Sequence, residues 1–396
     1  MEKKTQNRLT EGPILKTLIR LALPIVGSSF LGTVYSITDM AWIGMLGSRA
    51  VAGVGVGGMY VWLSQGIVSL ARMGGQVHVA QCFGRNEKEK AANYAMAAVQ
   101  MTILFALVFS AFCLLLTDPL IGFFNLNDAE SIDSARIYTR ITCGLILFSY
   151  LSQTLTGLYT AQGDSRTPFL ANLLGLVTNM ILDPVLILGI GPFPRLEVAG
   201  AAIATVTAQV IVSGVMLISA IHFSRQGNNV LFQTSIHSLK EKRYYGDICK
   251  MGIPTALQGM IYCMISMVLA AFTAVFGPAA IAVQRLGGQI ESVSWNVSDG
   301  FAASLNAFVG QNYGAGKMER VRKGCRYGCI TVAVWGLMVT LAFLLLPELI
   351  SRVFFHEEEA LAISVNYLKI IAWSEAFMCV ELTAIGALSG LGKTKL

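Results

Sequence analysis

Acidic side chains set inside long apolar stretches are the first residues of this sequence that could do chemistry. Asp39, Asp183 and Glu291 stand in such stretches, followed by Arg72, Arg285, Asp299, Glu375 and Glu381. Away from water an ionisable group is costly, so it marks an ion pathway, a proton site or a buried pair. Two carboxylates that meet in low dielectric repel: one then holds a proton, or a cation sits between them. Asn179 lies four residues before Asp183 and shares its helix face. Oxygen ligands of this kind suit H⁺ or Na⁺ rather than a soft metal, so Na⁺ at Asp39 and Asp183 is the one metal considered. Neither a Gly-x4-Gly-Lys-Ser/Thr loop nor a His-Glu-x2-His or Gly-x-Ser-x-Gly constellation is present. ATP hydrolysis, an enzyme activity and a bound cofactor are therefore not expected.

The elements that must position these residues follow from composition. Of 396 residues, 54% are hydrophobic and 13% charged, against roughly 25% charged in soluble domains. The mean hydropathy is +0.62. An all-α polytopic membrane protein is expected, with ten spans at about 20 apolar residues each. They are read at roughly 15–46, 51–82, 91–116, 134–161, 169–190, 199–223, 248–276, 279–311, 324–347 and 360–388. The first is read as a retained helix, because no small-residue cleavage site ends a short apolar run. Asp39 and Asp183 then lie about seven residues, ~10 Å, below the outer ends of spans 1 and 5, and Thr205 lies ~10 Å down span 6. One depth of one lobe thus holds two carboxylates, an amide and a hydroxyl. The competing reading is local: Asp183 caps or hydrogen-bonds locally beside Pro184, and Asp39 pairs with a neighbouring hydroxyl.

Charge placement orients the chain. Alternate loops hold 21 of the 29 Lys and Arg residues, while the opposite loops carry Asp118, Asp128, Glu130, Asp133, Glu348, Glu357, Glu358 and Glu359. Both termini are expected in the cytoplasm. Positive charge spread over loop ends also removes the nucleic-acid reading of the net +6.

The chain repeats itself at an offset near 230. Leu23-Pro24-Ile25 returns as Ile253-Pro254-Thr255, and Gln81-Cys82-Phe83-Gly84 as Gln311-Asn312-Tyr313-Gly314. Gly157-x5-Gly163-x-Ser165-Arg166 returns as Gly386-x5-Gly392-x-Thr394-Lys395. Two parallel repeats place a substrate site at their interface. The expected division is an N-lobe over 1–223 with six spans, a cytoplasmic linker over 224–247, and a C-lobe over 248–396 with four. By this arithmetic the second lobe lacks its last two helices.

These motifs, with Thr38-Asp39-Met40-Ala41-Trp42-Ile43-Gly44 and Asn179-Met180-Ile181-Leu182-Asp183-Pro184, resemble the multidrug and toxic compound extrusion (MATE) transporters, and look like their DinF-type branch. The resemblance covers essentially the whole chain. It implies a two-lobe transporter in the inner membrane of a prokaryote, with Asp39, Asn179, Asp183 and Thr205 at the cation-coupling positions. The expected function is H⁺- or Na⁺-coupled antiport exporting organic, often cationic, drugs or toxic metabolites by alternating access. The expected partners are a small organic substrate and membrane lipid, with the chain acting as a monomer. The alternative is a lipid-linked precursor or polysaccharide flippase, which needs more cleft cations for a diphosphate than Arg72 and Arg285.

Other residues carry two open readings. Glu291 either faces the cleft or pairs with Arg285 or Arg72. Pro24 and Pro254 either bend spans 1 and 7 during function or kink them statically. Gly53-x-Gly55-x-Gly57-Gly58 follows no strand and reads as close helix packing. Most of the sixteen methionines, Met40, Met45, Met59, Met251, Met260, Met264 and Met267 among them, are expected in the core. A subset is expected to line an adaptable cleft. The eight cysteines form no Cys-x-x-Cys pair and read as small buried hydrophobes.

Overall fold

The computed structural model describes residues 9–124, 128–190, 193–225, 231, 239–276, 278–352 and 358–394. The side chains of Met267 and Arg285, and half of the expected linker, lie outside the described residues. Thirteen helices follow in order: α1 (Ile14–Gly44), α2 (Ser48–Gly84), α3 (Lys88–Leu115), α4 (Thr117–Gly122), α5 (Ala129–Gly144), α6 (Leu147–Ala161), α7 (Arg166–Leu188), α8 (Glu197–Arg225), α9 (Lys242–Ala274), α10 (Pro278–Gly314), α11 (Met318–Leu345), α12 (Pro347–Arg352) and α13 (Glu358–Gly390). The bounds of α2, α3 and α4 recur in α10, α11 and α12 at the 230-residue offset read from the motifs.

Among the described residues, eight helices are long and apolar enough to cross a membrane, and the pair α5 and α6 supplies a ninth. Ten were expected. The difference is α10, which carries the buried polar side chains Ser294, Ser298, Ser304, Asn306, Gln311 and Asn312. It packs against α1, α2, α11 and α13, so protein rather than lipid covers much of it. The expected fourth span is also broken, with a 47° bend between α5 and α6. Ser110 Oγ donates to the Gly144 carbonyl at 2.9 Å, which satisfies an acceptor freed by the bend.

The repeated motifs have mechanical roles. Gly163 and Gly392 turn the chain after α6 and α13 with φ of 86° and 81°, a conformation that glycine adopts without cost. Asp164 then caps α7, accepting from the backbone N–H of Arg166 at 3.0 Å and of Thr167 at 3.1 Å. Where α2 crosses α10, Gly84 lies on the carbonyl of Gln311 and Gly314 on the carbonyl of Gln81. Gln81 Nε2 donates to the Gly390 carbonyl at 3.0 Å, and Gln311 Nε2 donates to the Ala161 carbonyl at 2.7 Å. Each glutamine thus caps the last turn of a helix in the other half. Two glycines let the backbones meet, and two buried amides clasp them.

Helix α1 belongs to two cores. Leu18 and Leu21, near its start, pack with Leu305, Phe308 and Val321. Ile43, near its end, packs with Ile187, Val198 and Ala201. Just before α1, the carbonyls of residues 9–12 are held by Asn312, Lys317 and Arg320.

Candidate functional site

The ends of α1 and α7, the start of α8 and the middle of α5 converge on one buried oxygen cluster. Asp39 on α1 is 8% exposed, and Asn179 and Asp183 on α7 are fully buried. Counted from the observed helix ends, Asp39 and Asp183 each lie five residues, ~8 Å, down, and Thr205 lies eight residues, ~12 Å, down. The two carboxylates thus lie equally far from the ends of their helices, and Thr205 lies farther from the end of its own. Asn179 Nδ2 donates to Asp183 Oδ1 at 3.0 Å. The remaining buried oxygens have no protein hydrogen-bond partner: Asp39 Oδ1, Asp183 Oδ2, Asn179 Oδ1, Thr205 Oγ1, Thr139 Oγ1 and the Tyr35 hydroxyl. Buried polar atoms are almost always satisfied, so six in one cluster call for a ligand that oxygens attract.

The local reading is met in part: Asp183 accepts a hydrogen bond from Asn179, one helical turn away, while Asp39 Oδ1 pairs with no neighbouring hydroxyl. Three tyrosine and threonine residues escaped the sequence reading. Tyr35 lies within electrostatic reach of Asp39 and Asp183, with Thr205 beside it. Tyr138 on α5 also senses both carboxylates, and Thr139 is its neighbour. Tyr35 had a readable signal, because it precedes Asp39 by four residues and shares its face. Tyr138 and Thr139 had none, since α5 enters behind the unforeseen bend. Gly57 seats them: a Cβ there would lie 2.8 Å from Tyr138 Cδ1 and 2.9 Å from Thr139 Oγ1. Gly53 likewise lies against Ser131, Ser134 and Ala135 of α5, which fits the packing role expected of that glycine run.

The second half is different. Glu291 accepts a hydrogen bond from the Tyr367 hydroxyl at 3.4 Å. It makes no ion pair with Arg72 among the described residues. Along the repeat, Glu291 corresponds to position 61 of α2, and Arg72 lies eleven residues, ~16 Å, farther along that helix. The Arg72 stem instead packs against Gly157 beside Gln76. Glu375 on α13 is fully buried and neither carboxylate oxygen has a partner. The sequence reading ranked it low. Glu291 and Ser294 are its neighbours. Pro24 and Pro254 lie inside helices that continue past them, so neither ends its span. The expectation that most methionines lie in the core is not met among the described residues: Met40, Met45, Met59, Met180, Met260, Met264, Met318 and Met338 are all at least 40% exposed. Unbranched, polarizable side chains are tolerated on lipid- or cleft-facing surfaces as well as in cores.

Comparison with known proteins places the chain. The MatE family model matches residues 24–185 and 254–396. The chain belongs to the MatE family. The two matched segments begin at Pro24 and Pro254, one in each copy of the repeat. Among MatE relatives, a probable multidrug resistance protein NorM of Thermotoga maritima is 29% identical over 385 residues, spanning 96% of this chain and 81% of the relative. A FAD transporter of Shewanella oneidensis is 27% identical over 353 residues, spanning 87% and 75%. A solved structure, an outward-facing conformation of a multidrug resistance MATE family transporter of the MOP superfamily, matches with a TM-score of 0.89 at 20% identity, over 100% of this chain and 86% of that one. That likeness is one of fold: an all-helical, two-lobe architecture.

Proposed function

We propose that this chain is an antiporter in which H⁺ or Na⁺ entering at the α1–α7–α8 cluster drives export of an organic, often cationic, amphiphile. The observation that carries the reading is the set of buried, unpartnered oxygens shared by Asp39, Asn179, Asp183 and Thr205, joined by Tyr35. Two carboxylates with amide and hydroxyl oxygens form a hard donor set suited to Na⁺ or a shared proton. Asn179 fixes one oxygen of Asp183 and leaves the other for the cation. Helix α1 brings Asp39, while α7 and α8 bring the rest, so loading the site pulls three helices together. Pro24 gives α1 a compliant point, because it removes one rung of the helical ladder. The N-lobe over 1–223 then holds the coupling site, the segment 224–247 links it to the C-lobe, and substrate occupies the cleft between. Both termini face the cytoplasm of a prokaryotic cell, and one chain suffices.

The test is efflux from proteoliposomes under separate Na⁺ and H⁺ gradients, with a panel of cationic dyes and a flavin. The relatives, named for multidrug resistance and for FAD transport, set that panel. One gradient should drive export of at least one compound, and dissipating it should stop export. If neither gradient moves any member of the panel while the protein remains folded, the antiport reading fails.

A further inference from the structure

A cavity of about 520 Å³ opens at the Lys- and Arg-rich end of the molecule, where the start of α1 meets the start of α11. Lys317, Arg320 and Lys323 line it with Glu319, Ile14 and Met318. Only one of the three cations is matched by a carboxylate, since Lys323 Nζ lies 2.6 Å from Glu319 Oε1. Lys317 Nζ donates to the Thr10 carbonyl at 3.0 Å, and Arg320 donates to the carbonyls of Gly12 at 2.7 Å and Glu11 at 2.8 Å. These neutral acceptors fix the side chains in place and leave their charge uncancelled. The exposed Glu11 carboxylate acts on Arg320 only at longer range.

The repeat supplies an internal control. The positions equivalent to Lys317, Arg320 and Lys323 in the first half are Glu87, Lys90 and Asn93. There Lys90 Nζ and Glu87 Oε1 close a pair at 2.9 Å, and the corner is neutral. In the second half a lysine stands where that glutamate stood, so the same corner holds two cations and no internal partner. Met318, 43% exposed, and the half-buried Ile14 add an apolar flank beside the charges. Cations fixed by backbone carbonyls, next to an apolar wall at a membrane-facing helix end, suit an amphiphile with a phosphate head.

We infer that this corner is a binding site for an anionic phospholipid, whose phosphate meets Lys317 and Arg320 and whose glycerol and upper acyl carbons meet Ile14 and Met318. The site is separate from the coupling cluster, and its occupant is not transported.

The experiment uses the purified chain in detergent and follows binding by native mass spectrometry, with the melting temperature as a second readout. Phosphatidylglycerol, phosphatidylcholine and inorganic phosphate are titrated separately. Phosphatidylglycerol should bind and raise the melting temperature beyond phosphatidylcholine. Each basic residue near a lipid surface contributes roughly a factor of five. Lys317→Ala should therefore weaken phosphatidylglycerol binding about fivefold and Lys317→Glu about thirtyfold. Phosphatidylcholine binding should stay unchanged in both. Lys317→Glu restores the residue of the first half, so it should fold. Equal binding of the two lipids, or full retention in both variants, overturns the inference. A shift with inorganic phosphate equal to that with phosphatidylglycerol also overturns it, because the corner would then hold a soluble anion.

Discussion

At the scale of single residues, Asp39 and Asp183 are predicted to act as one unit. Asp39→Asn and Asp183→Asn each keep the shape of the side chain and remove its titratable charge. Each should reduce gradient-driven efflux at least tenfold at matched protein amount. The double variant should be no worse than either single, because groups that share one ion are not additive. Retention of pH- or Na⁺-dependent transport by both single variants would move the coupling site elsewhere. Tyr35→Phe removes one oxygen of six and no charge, so it should raise the cation concentration for half-maximal efflux with little change in maximal rate. Glu291→Gln is the contrast. Its carboxylate already accepts from Tyr367, so the change should lower thermal stability more than coupling, read from melting and efflux on one preparation. Four site residues were legible because helical spacing and depth are both written in sequence. Tyr138 was not legible, because its place depends on the 47° bend that carries α5 toward α1.

At the scale of elements, the crossing of α2 and α10 decides whether one end of the molecule stays shut. Gly84→Leu or Gly314→Leu would drive a side chain into a backbone carbonyl that cannot retreat. Either should part the helices there. Modification of a cysteine placed at Ala80 by a membrane-impermeant reagent, applied from that side, should speed up at least fivefold. An unchanged rate would show that the crossing tolerates bulk. Gln81→Ala and Gln311→Ala each leave a buried helix-end carbonyl without its donor, at a cost of roughly 1–3 kcal/mol. Both should lower the melting temperature, and Gln311→Ala by more, since Gln311 Oε1 also accepts from the buried Leu9 N–H at 3.2 Å. The motif Gln-x2-Gly was visible in sequence as a repeat, but its partner was not. A glutamine at a helix end gives no hint that it caps a helix 309 residues away in the chain, as Gln81 does, or 150 residues away, as Gln311 does. The sequence reading took α10 as a span at 279–311, although it falls short of the apolarity of the other long helices. Its serines and asparagines lower its apolarity because they face protein, which a count of apolar residues does not register.

At the scale of the whole molecule, the described chain reads as two copies of one design that have drifted apart where chemistry resides. The Asp39 carboxylate has no counterpart in the second half, where Leu269 stands at the equivalent position. The cationic corner has no counterpart in the first half, where Glu87 neutralises it. Helix α1 connects these asymmetries. It is fastened at its start to Leu305, Phe308 and Val321 and at its end to Ile187, Val198 and Ala201. A straight helix of 31 residues measures about 46 Å and hardly stretches. It therefore works as a strut whose two feet stand on separate plates. If the proposed transport cycle rocks the plates, the strut cannot lengthen, so the mismatch is taken up as curvature, and Pro24 is where the rod yields most easily. Stiffening that point with Pro24→Ala should leave cation affinity at Asp39 nearly intact, because neither foot moves at rest. The change should appear in the clock: fewer turnovers per second, and a steeper dependence of that rate on temperature.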